Sequence, residues 1–390
     1  MDEASAKTSP EQYRLATAIF FFISGFGYST WASRIPAITR QLHLDDAQLG
    51  TALLALPIGL MLTMPFTSWL LSRYSSRAVM LTGSIILSVI LILIGFAGSY
   101  WQLIVLLLFF GSSRNLMTLS VNTQGVAVQA LYPKSIMASF HGVWSLACFA
   151  AAGLSIILVF FNVAPRYQFL FVSMALIGFT FYFINSTLHQ PPLRNGRGPV
   201  YALPDKYLLK FALICFVCMA CENTMYDWCA LYFQKQVNPD KTMSTVAYAV
   251  FLSAVTSGRV FGDSIVNRVG IKKVLKFSGI FIFFGLSFAV ALPFTVTALL
   301  AYVLIGLGVS CVVPMVFSLA GKSKNMSSSS ALASISTVGY MGFIIIPPLV
   351  GYVSKAASLR LSFGIVALFG PLIVYLVSKI GDENDQKITT

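Results

Sequence analysis

The stretch KFALICFVCMACENTMYDWCALYF (210–233) places an acid, Glu222, near the centre of a run that is otherwise apolar. About 20 apolar residues cross the ~30 Å of bilayer hydrocarbon, so this run is long enough to span a membrane. A charge kept in hydrocarbon costs at least ~2.5–3.5 kcal/mol, which makes such a residue a functional candidate by default. Glu222 lies about fifteen residues into the span, ~22 Å along a helix rising 1.5 Å per residue. Burial favours the neutral form of a carboxyl, the property a proton-coupling group needs. The competing reading is a protonated Glu hydrogen-bonded to a neighbouring helix.

Outward from this run the whole chain repeats the pattern. Of its 390 residues, 57% are hydrophobic and 10% charged, and the mean hydropathy is +0.80, beyond what a soluble globular domain of this size shows. Twelve stretches can cross the bilayer: about 12–38, 47–72, 78–98, 101–131, 135–161, 167–187, 206–234, 243–267, 272–292, 296–320, 328–353 and 359–380. The longest polar connection divides them into six and six. The expected organisation is an N-terminal six-helix half (1–187), a linker (188–205) and a C-terminal six-helix half (206–390) in an all-α membrane protein. Little sequence remains for a soluble catalytic domain, and no G-x4-G-K-[ST] signature for ATP is present.

The net charge of +13 reads as topology, not as affinity for nucleic acid. With a cytoplasmic N-terminus, seventeen of the 26 Lys/Arg fall on the cytoplasmic side and six on the other. That distribution fits the positive-inside rule with both termini cytoplasmic, in a bacterial inner membrane. Arg34, Arg114 and Arg259 are left inside spans. The polar start of the chain has no cleavable signal pattern. All six cysteines lie in apolar spans, against a disulfide framework. Cys215, Cys218 and Cys221 share a broad helix face but lack an evident fourth ligand, so neither a metal nor a cofactor is expected.

Landmarks recur between the halves. Trp31 and Trp228, Gly111 and Gly308, and Gly142 and Gly339 are each 197 residues apart, and Arg73-x3-Arg77 matches Arg268-x3-Lys272 at 195. Two repeats around a midplane site are a common transporter layout. The loop SWLLSRYSSR (68–77) resembles the G-x-L-a-D-R-x-G-R-R signature of the major facilitator superfamily, with Ser68, Ser72 and Ser75 at its Gly, Asp and Gly positions. In NRVGIKK (267–273) Arg268 and Gly270 are kept and Asn267 replaces the acid. WASRIPAI (31–38), VNTQGVAVQ (121–129), FHGVWSLA (140–147), ENTMYDW (222–228), GRVFGD (258–263) and VGYMGFIIIPPLVGY (338–352) resemble the MosC/YbjJ-like branch, whose members are mostly presumed transporters, one linked to rhizopine. The resemblance covers essentially the whole chain. It implies two pseudo-symmetric six-helix halves and no catalysis. Thr118 and Gln124 stand where that branch has acids, and Arg114 where it is usually uncharged.

The candidate site residues follow from depth. Glu222 and His141 are the candidates for proton coupling. Arg114, Asn115, Asn122, Gln124, Trp144, Glu222, Asn223, Tyr226 and Tyr340 are the candidates for substrate contact, with interhelical hydrogen bonding as the alternative for the amides. Arg34 and Asp227, toward the outer ends of spans 1 and 7, form a candidate gate; Arg73, Arg77 and Arg268, of the loop motifs, are further gating candidates. Arg259 and Asp263, spaced i, i+4, read as a local ion pair of structural or gating role. Trp31 and Trp228 read as interfacial belt residues. Together these favour a monomeric secondary transporter of a small polar solute, working by alternating access with protons as the coupling ion. A polyspecific exporter, a lipid flippase, a membrane-bound enzyme and a non-transporting sensor are the competing classes.

Overall fold

In a computed structural model of the protein, residues 9–133, 136–190, 202–320 and 328–380 are described, apart from the side chains of Ala138, Asp263, Ser328 and Ser329. Those residues form α1 (Pro10–Ala32), α2 (Ile35–Gln41), α3 (Asp46–Arg73), α4 (Ser76–Gly95), α5 (Tyr100–Gln129), α6 (Met137–Phe160) and α7 (Pro165–Ile184). They continue with α8 (Leu209–Tyr232), a π turn (Phe233–Val237), α9 (Lys241–Val269), α10 (Ile271–Ala291), α11 (Thr295–Ser310), α12 (Val312–Ala320), α13 (Ser328–Ala356), α14 (Leu359–Ala367) and α15 (Phe369–Ser378). Twelve spans are long and apolar enough to cross a membrane, with α11–α12 and α14–α15 each making one.

Three expected spans are broken, each just before a proline. Span 1 stops after Ala32 and resumes as α2 with Pro36 in its first turn. Span 10 breaks at Cys311, three residues before Pro314, and span 12 at Leu368, three before Pro371. Proline lacks an N–H and its ring clashes with the preceding turn, whereas in the first turn of a new helix neither matters. Pro57 and Pro65 nevertheless lie inside a continuous α3, and Pro347 and Pro348 inside α13. In an apolar bundle neighbouring groups can satisfy the freed carbonyls.

The chain divides into two compact units, Met1–Val200 with Asp240–Leu252, and Tyr201–Pro239 with Ser253–Thr390. Within the first, α3 packs on α5, α1 on α6, and α4 on α5 and α7; within the second, α8 packs on α13, and α10 on α11, α14 and α15. Lipid chains are as apolar as leucine, so helices associate by close packing at small residues. Gly59 and Gly111 do this reciprocally: a Cβ on Gly59 would strike the Leu108 carbonyl, and one on Gly111 the Leu56 carbonyl. The equal offset of Gly111 and Gly308 hides a difference. Gly308 abuts Ser278 and Ile282 of α10, the counterpart of α4, not of α3.

The short loops follow local rules. Ser75, at a motif glycine position, caps α4 by accepting the Ala78 N–H. Gly270 has φ +89° between α9 and α10, a conformation that favours glycine. Trp31 and Trp228 are both fully buried. They are core residues, which overturns the reading of them as interfacial belts.

Gly111→Ala should therefore force α3 from α5 and lower stability by about 1–3 kcal/mol, the usual cost of overpacking. Gly142→Ala, where nothing among the described residues lies within 4 Å of the added carbon, should leave the melting temperature in detergent unchanged or slightly raised. Equal melting temperatures for the two variants would contradict this account.

Candidate functional site

In the first unit the site is built on the seam between α1 and α6. Gly25 lets the Trp144 carbonyl approach the α1 backbone. Ser29 Oγ donates to the Cys148 carbonyl at 2.7 Å, and Cys148 Sγ to the Gly25 carbonyl at 3.4 Å. This seam sets Trp144 against Tyr28, their rings nearly parallel with centroids 6.4 Å apart. From α5, three residues beyond Gly111, the Arg114 guanidinium lies 3.8 Å from the Tyr28 ring centroid. Arg114 is half-buried midway along α5. Its N–H groups take no acceptor among the described residues, so the π face of Tyr28 is its stabilising contact. Tyr28 was missed at the level of sequence; the signal was a tyrosine three residues after a seam glycine.

The amides near this stack take different roles. Asn115 is buried and accepts a 2.7 Å hydrogen bond from Thr67 of α3. Gln124, also buried, donates to Ser76 Oγ and to the Leu188 carbonyl, while its Oε1 has no hydrogen-bond partner among the described residues. Both tie helices together. Asn122 donates to the Thr118 carbonyl one turn back on its own helix. His141 is exposed, edge-on to Phe21, whose other contact is the stacked Phe140.

In the second unit, Gly258 and Gly262 bracket Arg259 on α9. A Cβ on Gly258 would meet Ser310, and one on Gly262 the Cys311 sulfur. Cys311 Sγ also donates to the Gly258 carbonyl at 3.0 Å. The break between α11 and α12 thus receives the glycine pair. On that register Arg259 Nη2 reaches Glu222 Oε1 of α8 at 2.8 Å, with 28% and 10% of the two side chains exposed. Tyr226, one turn along α8, hydrogen-bonds the same carboxylate.

The partner of Glu222 is thus a cation of the next span, which reading along its own span could not reveal. The expected Arg259–Asp263 pair falls on a side chain outside the described residues. Asn223 Nδ2 donates to Asp227 Oδ2 at 3.0 Å. Tyr340 is half-buried, tilted against Phe343 and flanked by Gly339 and Gly342, which bring α13 close to α8.

The remaining cations lie at helix ends. Arg34 Nε donates to Gln168 Oε1 and Nη2 to the Val163 carbonyl, so an Arg34–Asp227 latch would have to draw the guanidinium from both. Arg77 donates to Asn185 at the end of α7. Arg73 and Arg268 are exposed.

The sequence profile of the Major Facilitator Superfamily matches residues 17–339. An uncharacterized MFS-type transporter of Yersinia pestis is 31% identical over 355 residues, covering 91% of this chain and 92% of that one. Membrane protein MosC of Rhizobium meliloti is 25% identical over 364 residues, covering 92% and 88%. Among solved structures, nucleoside transporter NupG superposes with a TM-score of 0.77 over 95% of this chain and all of its own, at 13% identity, a likeness of fold. Twelve membrane-length spans among the described residues, and a relative matched along nine-tenths of both chains, make this a multi-pass membrane transporter, not an enzyme: the chain belongs to the Major Facilitator Superfamily.

Proposed function

We propose that the protein moves a small polar solute by alternating access, coupled to protons taken up at Glu222, in a bacterial inner membrane with both termini cytoplasmic. The observation that carries the coupling is the Glu222–Arg259 pair, set deep in α8 and α9 and bonded also by Tyr226. A buried pair broken by neutralising one member typically loses ~3–5 kcal/mol, because the other charge is left unpaired. Shifting a two-state equilibrium from 1:99 to 99:1 takes about 5.5 kcal/mol. One proton on Glu222 is thus of the right size to bias two conformations, and Arg259 must then find another acceptor. His141, being exposed, is a second group for handling protons.

Solute recognition rests on Arg114. A guanidinium carries five N–H donors, and the Tyr28 ring offers it charge stabilisation without accepting those donors in the plane. A solute with carboxylate, phosphate or closely spaced hydroxyl oxygens supplies them. Trp144, stacked behind Tyr28, holds that ring in place. Asn223 and Tyr340 are proposed separately as the polar and aromatic solute contacts of the second half.

Glu222→Gln should abolish accumulation driven by a pH gradient in proteoliposomes while leaving solute exchange partly intact; unchanged accumulation would remove Glu222 from the mechanism. The Glu222→Gln/Arg259→Gln double variant should be more stable than Glu222→Gln alone, because the unpaired cation is removed, and a thermal melt of both reads this directly. A solute is first identified by thermal-shift screening of sugars, polyols, amines and organic acids at two pH values. Tyr28→Phe should then keep its affinity, whereas Tyr28→Leu should weaken it roughly 2–30-fold, the span of a cation–π contact of ~0.5–2 kcal/mol.

A further inference from the structure

A cavity of about 350 Å³ lies where α1 ends, away from the Arg114 stack, with Arg34, Arg40 and Lys241 on its walls. All its lining residues belong to the first unit, which takes in the first turns of α9. No Asp or Glu is among the described residues that line it. The volume is within the ordinary range for small-molecule sites.

The site is built from several local rules. α6 ends in a Schellman motif: Asn162 has φ 56°, its N–H bonds the Val159 carbonyl, and the Val163 N–H bonds that of Leu158. The turn leaves the Val163 carbonyl to accept from Arg34 Nη2 at 3.0 Å. α2 closes in the same way, with His43 at φ 51° and the Leu44 N–H on the Thr39 carbonyl. Arg34 itself is 3% exposed. Its Nε donates to Gln168, whose Nε2 donates to Ser155 Oγ at 2.6 Å, and Ser155 is bonded in turn to Ser33 Oγ at 2.7 Å. Arg34 is therefore held by a buried relay in which every partner is neutral.

A guanidinium is not deprotonated in proteins, so Arg34 and Arg40 are both cations at neutral pH. The ammonium of Lys241 is exposed and takes no partner among the described residues. The Ser244 and Thr245 hydroxyls donate back to the Lys241 carbonyl, which leaves recognition to the cationic side chains.

We propose that this cavity is a second ligand site, distinct from the Arg114 stack, which binds an oxyanion group of the phosphate or carboxylate class. Fixed Arg34 supplies a pre-oriented guanidinium, the geometry suited to oxyanions, and exposed Arg40 and Lys241 add two further cations to the lining. The same chemistry has two sources, a free solute or the phosphate of an anionic lipid headgroup.

The test uses the full chain in detergent, titrated with inorganic phosphate against chloride at matched ionic strength. Phosphate should raise the melting temperature saturably, and Arg40→Gln/Lys241→Gln should weaken that response about tenfold or more. Arg34→Gln should abolish it; if that variant does not fold, the double variant decides. Nanodiscs of phosphatidylcholine with and without phosphatidylglycerol separate the sources. A phosphate response suppressed by phosphatidylglycerol, or stabilisation by that lipid which the double variant loses, assigns the site to headgroups; a phosphate response insensitive to lipid assigns it to a free solute. The proposal is overturned by equal shifts with phosphate and chloride, by a phosphate shift intact in the double variant, or by no response to either phosphate or phosphatidylglycerol.

Discussion

Backbone contact at glycine is the constraint on which the positions of the functional side chains depend. Between lipid-embedded helices there is no hydrophobic drive of the aqueous kind, and affinity comes from close approach. Gly25 on Trp144, Gly111 on Leu56, Gly258 on Ser310 and Gly342 on Phe216 are such approaches. Each sits a turn or less from a candidate residue: Tyr28 follows Gly25, Arg114 follows Gly111, Arg259 adjoins Gly258, and Tyr340 lies between Gly339 and Gly342. A seam that cannot slip fixes the register, and the register fixes which cation meets which ring or carboxylate.

The three arginines left inside the expected spans show three ways of keeping a guanidinium in apolar surroundings. Arg34 is given neutral oxygens on an interhelical relay, Arg114 a π face, and Arg259 a carboxylate. These are not equivalent. Neutral oxygens and a ring leave the net positive charge in place, as the proposed anion sites of the first unit require. The carboxylate cancels the charge, as the proposed proton site requires.

Much of this was legible in the chain. Twelve apolar stretches foretold twelve spans, because length and hydropathy alone decide what crosses hydrocarbon. Depth along a span singled out Glu222 and Arg114, and the MosC resemblance stands beside a relative of that name. What periodicity could not supply was lateral pairing. Arg259 is four residues from Asp263 on one helix, which invites a local reading, yet its carboxylate across the bundle is 37 positions away in sequence. Gly258-x3-Gly262 around it was the available clue, since such a pair marks the face that packs. The tryptophans failed for a related reason: an indole near a span's end suits a lipid interface or a core equally well, and packing decides.

The repeat adds a last point. Trp31 and Trp228 share burial, and neither indole N–H has a partner among the described residues, so the two halves agree where the scaffold is concerned. They differ at the groups that carry chemistry. Among the described residues Gly142 has nothing near it where Gly339 is pressed against Met219 and Cys215, and Arg114 of the first half meets a ring where Arg259 of the second half meets a carboxylate. In the proposed mechanism this asymmetry has a use. A cation without acceptors holds a solute most tightly when nothing else competes for its donors, whereas an ion pair is most sensitive to a proton when its partner is fixed. One site cannot satisfy both demands, and placing them on separate halves meets each with the scaffold already present.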